Sequence, residues 1–318
     1  MKAVYVNSLG VSSEIIIGNL TRPKRHKNHA LLKTIATTIN PVDVYIRTGK
    51  YPIKPPLPFL LGRDVVGEVI EVSPESEFNV GDIVWSNSMG YENRQGVSAE
   101  YLSINEDRLY KLPDKVDPFQ AVASLHATTT AVLLLTNLVT TKKDESILIQ
   151  GGGGNVGRKL VKLSKLLGLN ITTTSATKDF DYLTKLGARC LDYNDNDNKG
   201  KYDYIIDTSG KNKLSANVSL LNDNGKILMI TKPFDSNFDT WDFYTNGKQI
   251  LGFVLSKASV DQLNQAAILM NDQFKKGYFL DNNIIKKHFF YIKDYHRIFE
   301  NKQYLGKKPV FYYSDNSL

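Results

Sequence analysis

The sequence predicts an α/β protein in two parts: a mostly β domain built from residues 1–118 and 258–318, and a doubly wound parallel-sheet domain over 119–257. Three observations carry this prediction. The first third is a series of strand-like runs rich in β-branched residues. From about residue 118 short strands alternate with helices, the spacing of βαβ units. Residues 147–163, ILIQGGGGNVGRKLVKL, set four glycines between an apolar strand and a helical pattern.

In chain order, KAVYV, EIIIGNL and ALLKTIATTI read as strands bounded by Gly, Pro and Asn. NPVDVYIRTGKYPIKPPLPFLLG (40–62) carries a proline cluster, which makes its middle an ordered loop. DVVGEVIEV, VGDIVW and SAEYLSI add strands. PFQAVASLHATTTAVLLLTNL is helical in period. After it come SILIQ, VGRKLVKLSKLLG, NITTTS, KDFDYLTKLG, YDYIIDTSG, LSANVSLLNDNG and KILMIT, strand and helix in turn. Val156, Leu160, Leu163 and Leu167 keep one face of the helix after the glycines apolar. NDNDNKG (194–200) is a polar loop. After QILGFV, the helix SVDQLNQAAILMNDQFKKG leads into strand-like IIKKHFFYI and KKPVFYY, which return to the β domain and make it discontinuous.

Composition narrows the function classes. Hydrophobic residues at 42% and charged residues at 23% are ordinary for a globular chain. AVLLLTNLV falls short of the ~20 apolar residues of a membrane span, and the first 20 residues lack the pattern of a signal peptide. The single cysteine, Cys190, excludes an internal disulfide and every Cys-rich zinc site, so the expected location is the cytoplasm. The net charge of +7 raises nucleic acid as a partner, but the basic residues are dispersed among acids and no aromatic–basic platform is present. The densest cluster, RPKRHKNH (22–29), reads as a solvated loop. The surplus suits an anionic small molecule as well.

Gly152, Gly154 and Gly157 fit G-x-G-x-x-G in the strand–helix context that makes the pattern informative. The first glycine is expected at the tight turn and the second where backbone approaches a pyrophosphate. The third permits close helix–strand packing, while the helix N-terminus at Asn155 and Val156 offers free N–H groups. A cofactor with a free ribose 2′-OH usually meets an acid about 20 residues on. The second strand here ends in Ser175, followed by Lys178, which can bind a 2′-phosphate. Asp179 is expected in the first turn of a helix, where an acid is favoured anyway. The cofactor expected is NADPH.

Taken together, NPVDVYIRTGKYP, LLGRDVVGEVIEV, NVGDIVW, AEYL, ILIQGGGGNVG and the closing GKKPV resemble, in order and spacing, the medium-chain dehydrogenases/reductases. The zinc-free quinone oxidoreductase branch, with its enone and alkenal reductases, is the nearest likeness. The resemblance spans essentially the whole chain. It implies a GroES-like catalytic domain, a Rossmann cofactor domain, a site in the cleft between them, and a homodimer, for which QILGFV is a candidate edge strand. It also implies that Thr129 approaches the nicotinamide carboxamide, that Lys178 and Tyr193 bind the 2′-phosphate, and that Lys302 contributes a basic contact. Ser209 and Gly210 then form the turn under the nicotinamide ribose.

Departures from the zinc-dependent branch bear on the chemistry. Asn40-Pro41-Val42-Asp43 stands where those relatives look like Cys-x-x-Asp, and Gly62-Arg63-Asp64 where they carry Gly-His-Glu. An amide oxygen binds zinc poorly and a guanidinium is cationic. None of the five histidines rescues a metal site, so no metal is expected. Hydride addition to a quinone, or to the β-carbon of an α,β-unsaturated carbonyl, remains accessible because hydrogen-bond donors can hold the oxygen that gains charge.

By the resemblance, Asn40, Tyr45 and Tyr51 line the substrate side, with Tyr51 the first choice of donor. A packing role competes for each tyrosine. Arg63 either attracts a substrate carbonyl or pairs with Asp64. Asp43 caps the next turn or pairs with Arg47. His126 is expected to make a structural hydrogen bond, with proton donation as the other option. Cys190 is expected in a strand. An NADPH-binding sensor with little turnover is the alternative function.

Overall fold

The computed structural model describes residues 1–193, 200–233, 235, 237–303 and 306–313; most of the polar loop 194–200 lies outside them. The chain divides into two compact units, Met1–His126 with Ser259–Leu318, and Ala127–Ala258.

The first unit opens with strands β1 (Lys2–Val6), β2 (Ile16–Asn19) and β3 (His29–Thr38). Helix α1 (Pro41–Arg47) follows, then β4 (Phe59–Leu60), β5 (Val65–Glu71), β6 (Ile83–Ser86), β7 (Tyr101–Asn105) and β8 (Tyr110–Lys111). Helix α1 precedes the proline-rich stretch and went unread in the sequence. It starts because Asn40 is extended, Pro41 fills the first turn without needing an N–H partner, and the Asp43 carboxylate accepts the Asn40 N–H at 2.7 Å.

Helix α2 (Pro118–Leu133) continues as a π turn through Leu138. Over 118–138 it is long and apolar enough to cross a membrane by composition, whereas the sequence reading weighed only its last part. Its most apolar window is 78% buried within the protein. That apolarity therefore serves the core.

The second unit runs β9 (Ser146–Gln150), α3 (Asn155–Leu166), β10 (Asn170–Ser175), α4 (Phe180–Lys185), β11 (Arg189–Asp192), β12 (Tyr202–Asp207), α5 (Leu214–Ser219), β13 (Leu221–Met229), α6 (Thr240–Thr245) and β14 (Gln249–Gly252). Its six strands are all parallel, in the order β11-β10-β9-β12-β13-β14. The order reverses direction at β9, so the loops after β9 and β12 open together at the carboxyl end. Helix α5 is shorter than LSANVSLLNDNG suggests: the chain is already strand at Leu221, and a register irregularity between Tyr202 and Tyr204 absorbs the NDNG turn. Leu148, Ile205, Val218 and Ile227 form the centre of this unit's core.

The chain then returns to the first unit through α7 (Val260–Lys275), β15 (Ile284–His288), α8 (Ile292–Glu300) and β16 (Lys308–Tyr312). Strand β16 pairs antiparallel with β3, extending a seven-stranded sheet. Pairing brings Lys308 to the end of β3 that leads into Asn40. One core of this unit gathers Val4, Ile39, Phe59, Phe289 and Phe311; another gathers Leu32, Val65, Val84 and Ile104.

Candidate active site

In the first unit, Asn40, Asp43, Arg63 and Asp64 are all buried, at 3% exposure or less. Asn40 joins two strands and a terminus: its Nδ2 donates to Asp64 Oδ2 at 2.7 Å, and its Oδ1 accepts from Lys308 Nζ at 2.7 Å. Lys308 also donates to the Ile39 carbonyl at 2.8 Å. The amide oxygen that would face a metal is thus already bonded to an ammonium.

Burying two carboxylates this close costs charge. Desolvation pushes Asp43 up to about 7 and Asp64 to about 6. Arg63 and Lys308 oppose both shifts, as does the Asn40 hydrogen bond to each carboxylate. Burial likewise lowers the Lys308 ammonium, with Asp64 and Asp43 holding it up. Arg63 acts on both carboxylates of the group. Its charge also reaches Tyr51 and His126. Burial first, then Arg63 and Lys308, drives His126 well below its usual range, so the imidazole is neutral.

Tyr51 is partly buried, its ring edge-on to Tyr91 at 6.3 Å. Desolvation raises its phenol further than Arg63 lowers it, so the hydroxyl keeps its proton. Tyr45 is not gathered into this group: it is 47% exposed on α1, whose Asp43, Val44, Ile46 and Arg47 face inward. Arg47 does not pair with Asp43; its Nη2 meets Glu300 at 3.0 Å. Among the described residues no three His, Cys, Asp or Glu side chains are grouped to hold a metal.

The second unit holds the glycine loop. The tight turn falls on Gly151 (φ +89°), one residue before the expected position. A Cβ on Gly152 would strike the Thr173 hydroxyl on the neighbouring strand, and one on Gly157 would strike the Gly151 carbonyl. Helix α3 opens at Asn155 with Gly154 extended at its cap. The amides of Asn155, Val156 and Gly157 therefore precede the first helical bond, from Arg158 N–H to the Gly154 carbonyl at 2.9 Å. A bare loop ending on free helical amides fits a dinucleotide pyrophosphate.

At the end of β10, Ser175 is buried, Lys178 is exposed in a short turn, and the Tyr193 hydroxyl bonds to the Ala176 backbone. Burial and then the Asp179 charge raise the Tyr193 phenol. The carboxylate of Asp179 does not cap α4; it pairs with Arg158 at 2.7 Å. At the end of β12, Asp207 Oδ1 accepts from Ser209 N at 2.8 Å, Ser209 Oγ at 2.7 Å and Gly210 N at 3.1 Å, and Gly210 takes φ +65°. Thr129 is buried in α2. Lys302 belongs to the other unit, in the turn after α8 at φ 55°.

Four participants escaped the sequence reading: Lys308, Arg158, Asp207 and the neutral state of His126. The closing GKKPV motif held the first. Asp207, two residues before Ser209, held the third, since an Asp at that offset makes an Asx turn. No sequence signal paired Arg158 with Asp179.

Residues 26–114 match the alcohol dehydrogenase GroES-like domain. Joined to a parallel sheet with a glycine loop at its switch point, that domain defines a medium-chain dehydrogenase/reductase. The chain is 30% identical to the quinone oxidoreductase of Sus scrofa over 79% of either chain. It is 31% identical to the chloroplastic NADPH-dependent alkenal/one oxidoreductase of Arabidopsis thaliana over 73% of this chain and 62% of that one. Its fold superposes on a quinone oxidoreductase from Pseudomonas syringae with a TM-score of 0.85, at 20% identity, covering 98% of this chain and 99% of that one. The chain belongs to the quinone oxidoreductase family, the zinc-free branch of that class.

Proposed function

We propose that this protein is an NADPH-dependent reductase that adds hydride, without a metal, to quinones or to the C=C bond of α,β-unsaturated carbonyls. The observation that carries this is a pair of cations, the buried Arg63 and the half-buried Lys308, grouped with Asn40 near Tyr51 where zinc-dependent relatives keep a metal. Family membership and the alkenal/one oxidoreductase among its relatives support the substrate class.

Bound at the glycine loop, NADPH would supply the hydride. The amides of Asn155, Val156 and Gly157 receive the pyrophosphate, with Gly152 and Gly154 leaving room for it. Ser175, Lys178 and Tyr193 receive the 2′-phosphate. Thr129 and the Ser209–Gly210 turn serve the nicotinamide end, and Lys302 adds positive charge. On the substrate side, the Tyr51 hydroxyl donates to the oxygen that gains charge, and the Arg63 field stabilises that charge. Asn40 holds Lys308 and Asp64 in register, and Tyr45 offers an exposed aromatic face to the acceptor. His126, kept neutral, adds no competing cation. The reading includes a homodimer paired through the outer strand β14 and a cytoplasmic location, which suits an unpaired Cys190.

Replacing Tyr51 with Phe tests the donor role. The kcat falls about 100-fold while NADPH affinity is unchanged. Equal turnover in the variant removes Tyr51 from the chemistry.

A further inference from the structure

Asp179 lies in the short turn just after β10, next to the strand end where an acid that selects a free 2′-hydroxyl is usually found. Left to itself it would favour NADH and repel a 2′-phosphate. Its surroundings say otherwise. Arg158, in the first turn of α3, spans the gap with one guanidinium: Nε donates to the Gly153 carbonyl at 2.9 Å and Nη2 to Asp179 Oδ1 at 2.7 Å. The other carboxylate oxygen lies over Gly153, where it would meet a Cβ. Tyr182 supports the guanidinium from α4, 5.1 Å from ring centroid to Cζ. The pair is largely shielded, with side-chain exposures of 33% and 14%. Asp179 is thus drawn onto the loop and ion-paired, and its hydrogen-bonding capacity is partly used.

Resting on the NADPH reading above, we infer that Arg158 is a specificity-determining residue for the cofactor: by holding Asp179 against Gly153 it offsets the charge of an acid beside the 2′-phosphate site and turns it from an opposing group into part of that site's wall. The Asp179 carboxylate faces the proposed phosphate contacts, since its charge reaches the Tyr193 phenol even with Arg158 paired to it. Freed of Arg158, Asp179 accepts a ribose hydroxyl and opposes a phosphate.

The test is equilibrium binding of NADPH and NADH, read by the cofactor's fluorescence, to the wild type, Arg158→Gln, Asp179→Asn and the double variant. Arg158→Gln lowers the NADPH:NADH affinity ratio by about tenfold or more, since like charges then face each other. The double variant restores most of the ratio, which a merely damaged loop could not do. Competition by adenosine 2′,5′-bisphosphate against adenosine 5′-monophosphate follows the same order. If Arg158→Gln weakens both dinucleotides equally, Arg158 only braces the loop and the inference is overturned. If the double variant stays as low as Arg158→Gln, Asp179 is not the opposing charge and the inference is likewise overturned. A wild type that binds neither dinucleotide removes the NADPH reading itself, a result separable from both.

Discussion

At Asp43 the fold sets two demands against each other. The carboxylate anchors the start of α1 through the Asn40 N–H, yet it sits in a dry interior. With its pKa raised from 3.8 to about 7, the folded state binds a proton that the unfolded chain has released. The stability Asp43 contributes is therefore full below pH 4 and is lost as pH rises to about 7. Neutral His126, half-buried, and neutral His296, fully buried, act in the opposite sense, losing stability as pH falls below 6.5. A difference measurement isolates the aspartate. Asp43→Asn gains stability relative to the wild type by about 2 kcal/mol between pH 5 and pH 8, measured by urea unfolding at each pH. A pH-independent difference would mean that Asp43 stays ionised throughout. Lys308 was invisible for a related reason: sequence places it in a strand, but only the pairing of β16 with β3 delivers its ammonium to Asn40. Asn40 and Arg63 stood out in the sequence because each takes the place of a residue with metal chemistry, and the structure buries both beside Asp64.

Among the elements, the strand–loop–helix of β9 and α3 was the most legible, because its glycines answer to space and not only to conformation. The Gly157 Cα packs against the Gly151 backbone, which cannot yield as a flexible side chain can. Gly157→Ala therefore weakens NADPH binding at least about tenfold and destabilises the protein by about 1–3 kcal/mol, checked by cofactor titration and thermal unfolding. Unaltered binding would show that the loop and helix part without consequence. The position of the tight turn, one residue early at Gly151, depends on Thr208 and β12, which lie over 50 residues away in sequence. Helix α1 was missed because it is short and its Val42, Val44 and Ile46 are β-branched residues next to a proline cluster; its start is set by a cap, a proline and a burial pattern that only the surrounding strands define.

For the whole molecule, the pattern of alternating elements foretold a parallel sheet, and the chain order of strands made its switch point the place for a cofactor. The sheet ends at β14, beyond which no strand pairs among the described residues. The preceding helix α6 leaves Trp241 at 74% and Tyr244 at 77% exposure. Pairing of two copies along β14 predicts a dimer in solution by light scattering, and Gly252→Pro, which removes an outward-facing edge N–H while the neighbouring Phe253 N–H still bonds to Met229, gives a monomer. A wild-type monomer at micromolar concentration contradicts the pairing.

The most direct measurement is oxidation of NADPH by the purified protein, with NADH in parallel. Acceptors are an ortho-quinone, a para-quinone, a 2-alkenal and a cyclic enone, each with and without a metal chelator. The account predicts turnover that prefers NADPH, is indifferent to the chelator and falls in Tyr51→Phe. Turnover abolished by chelation would contradict it, and so would tight NADPH binding with no oxidation by any acceptor, which would leave a sensor in place of a reductase.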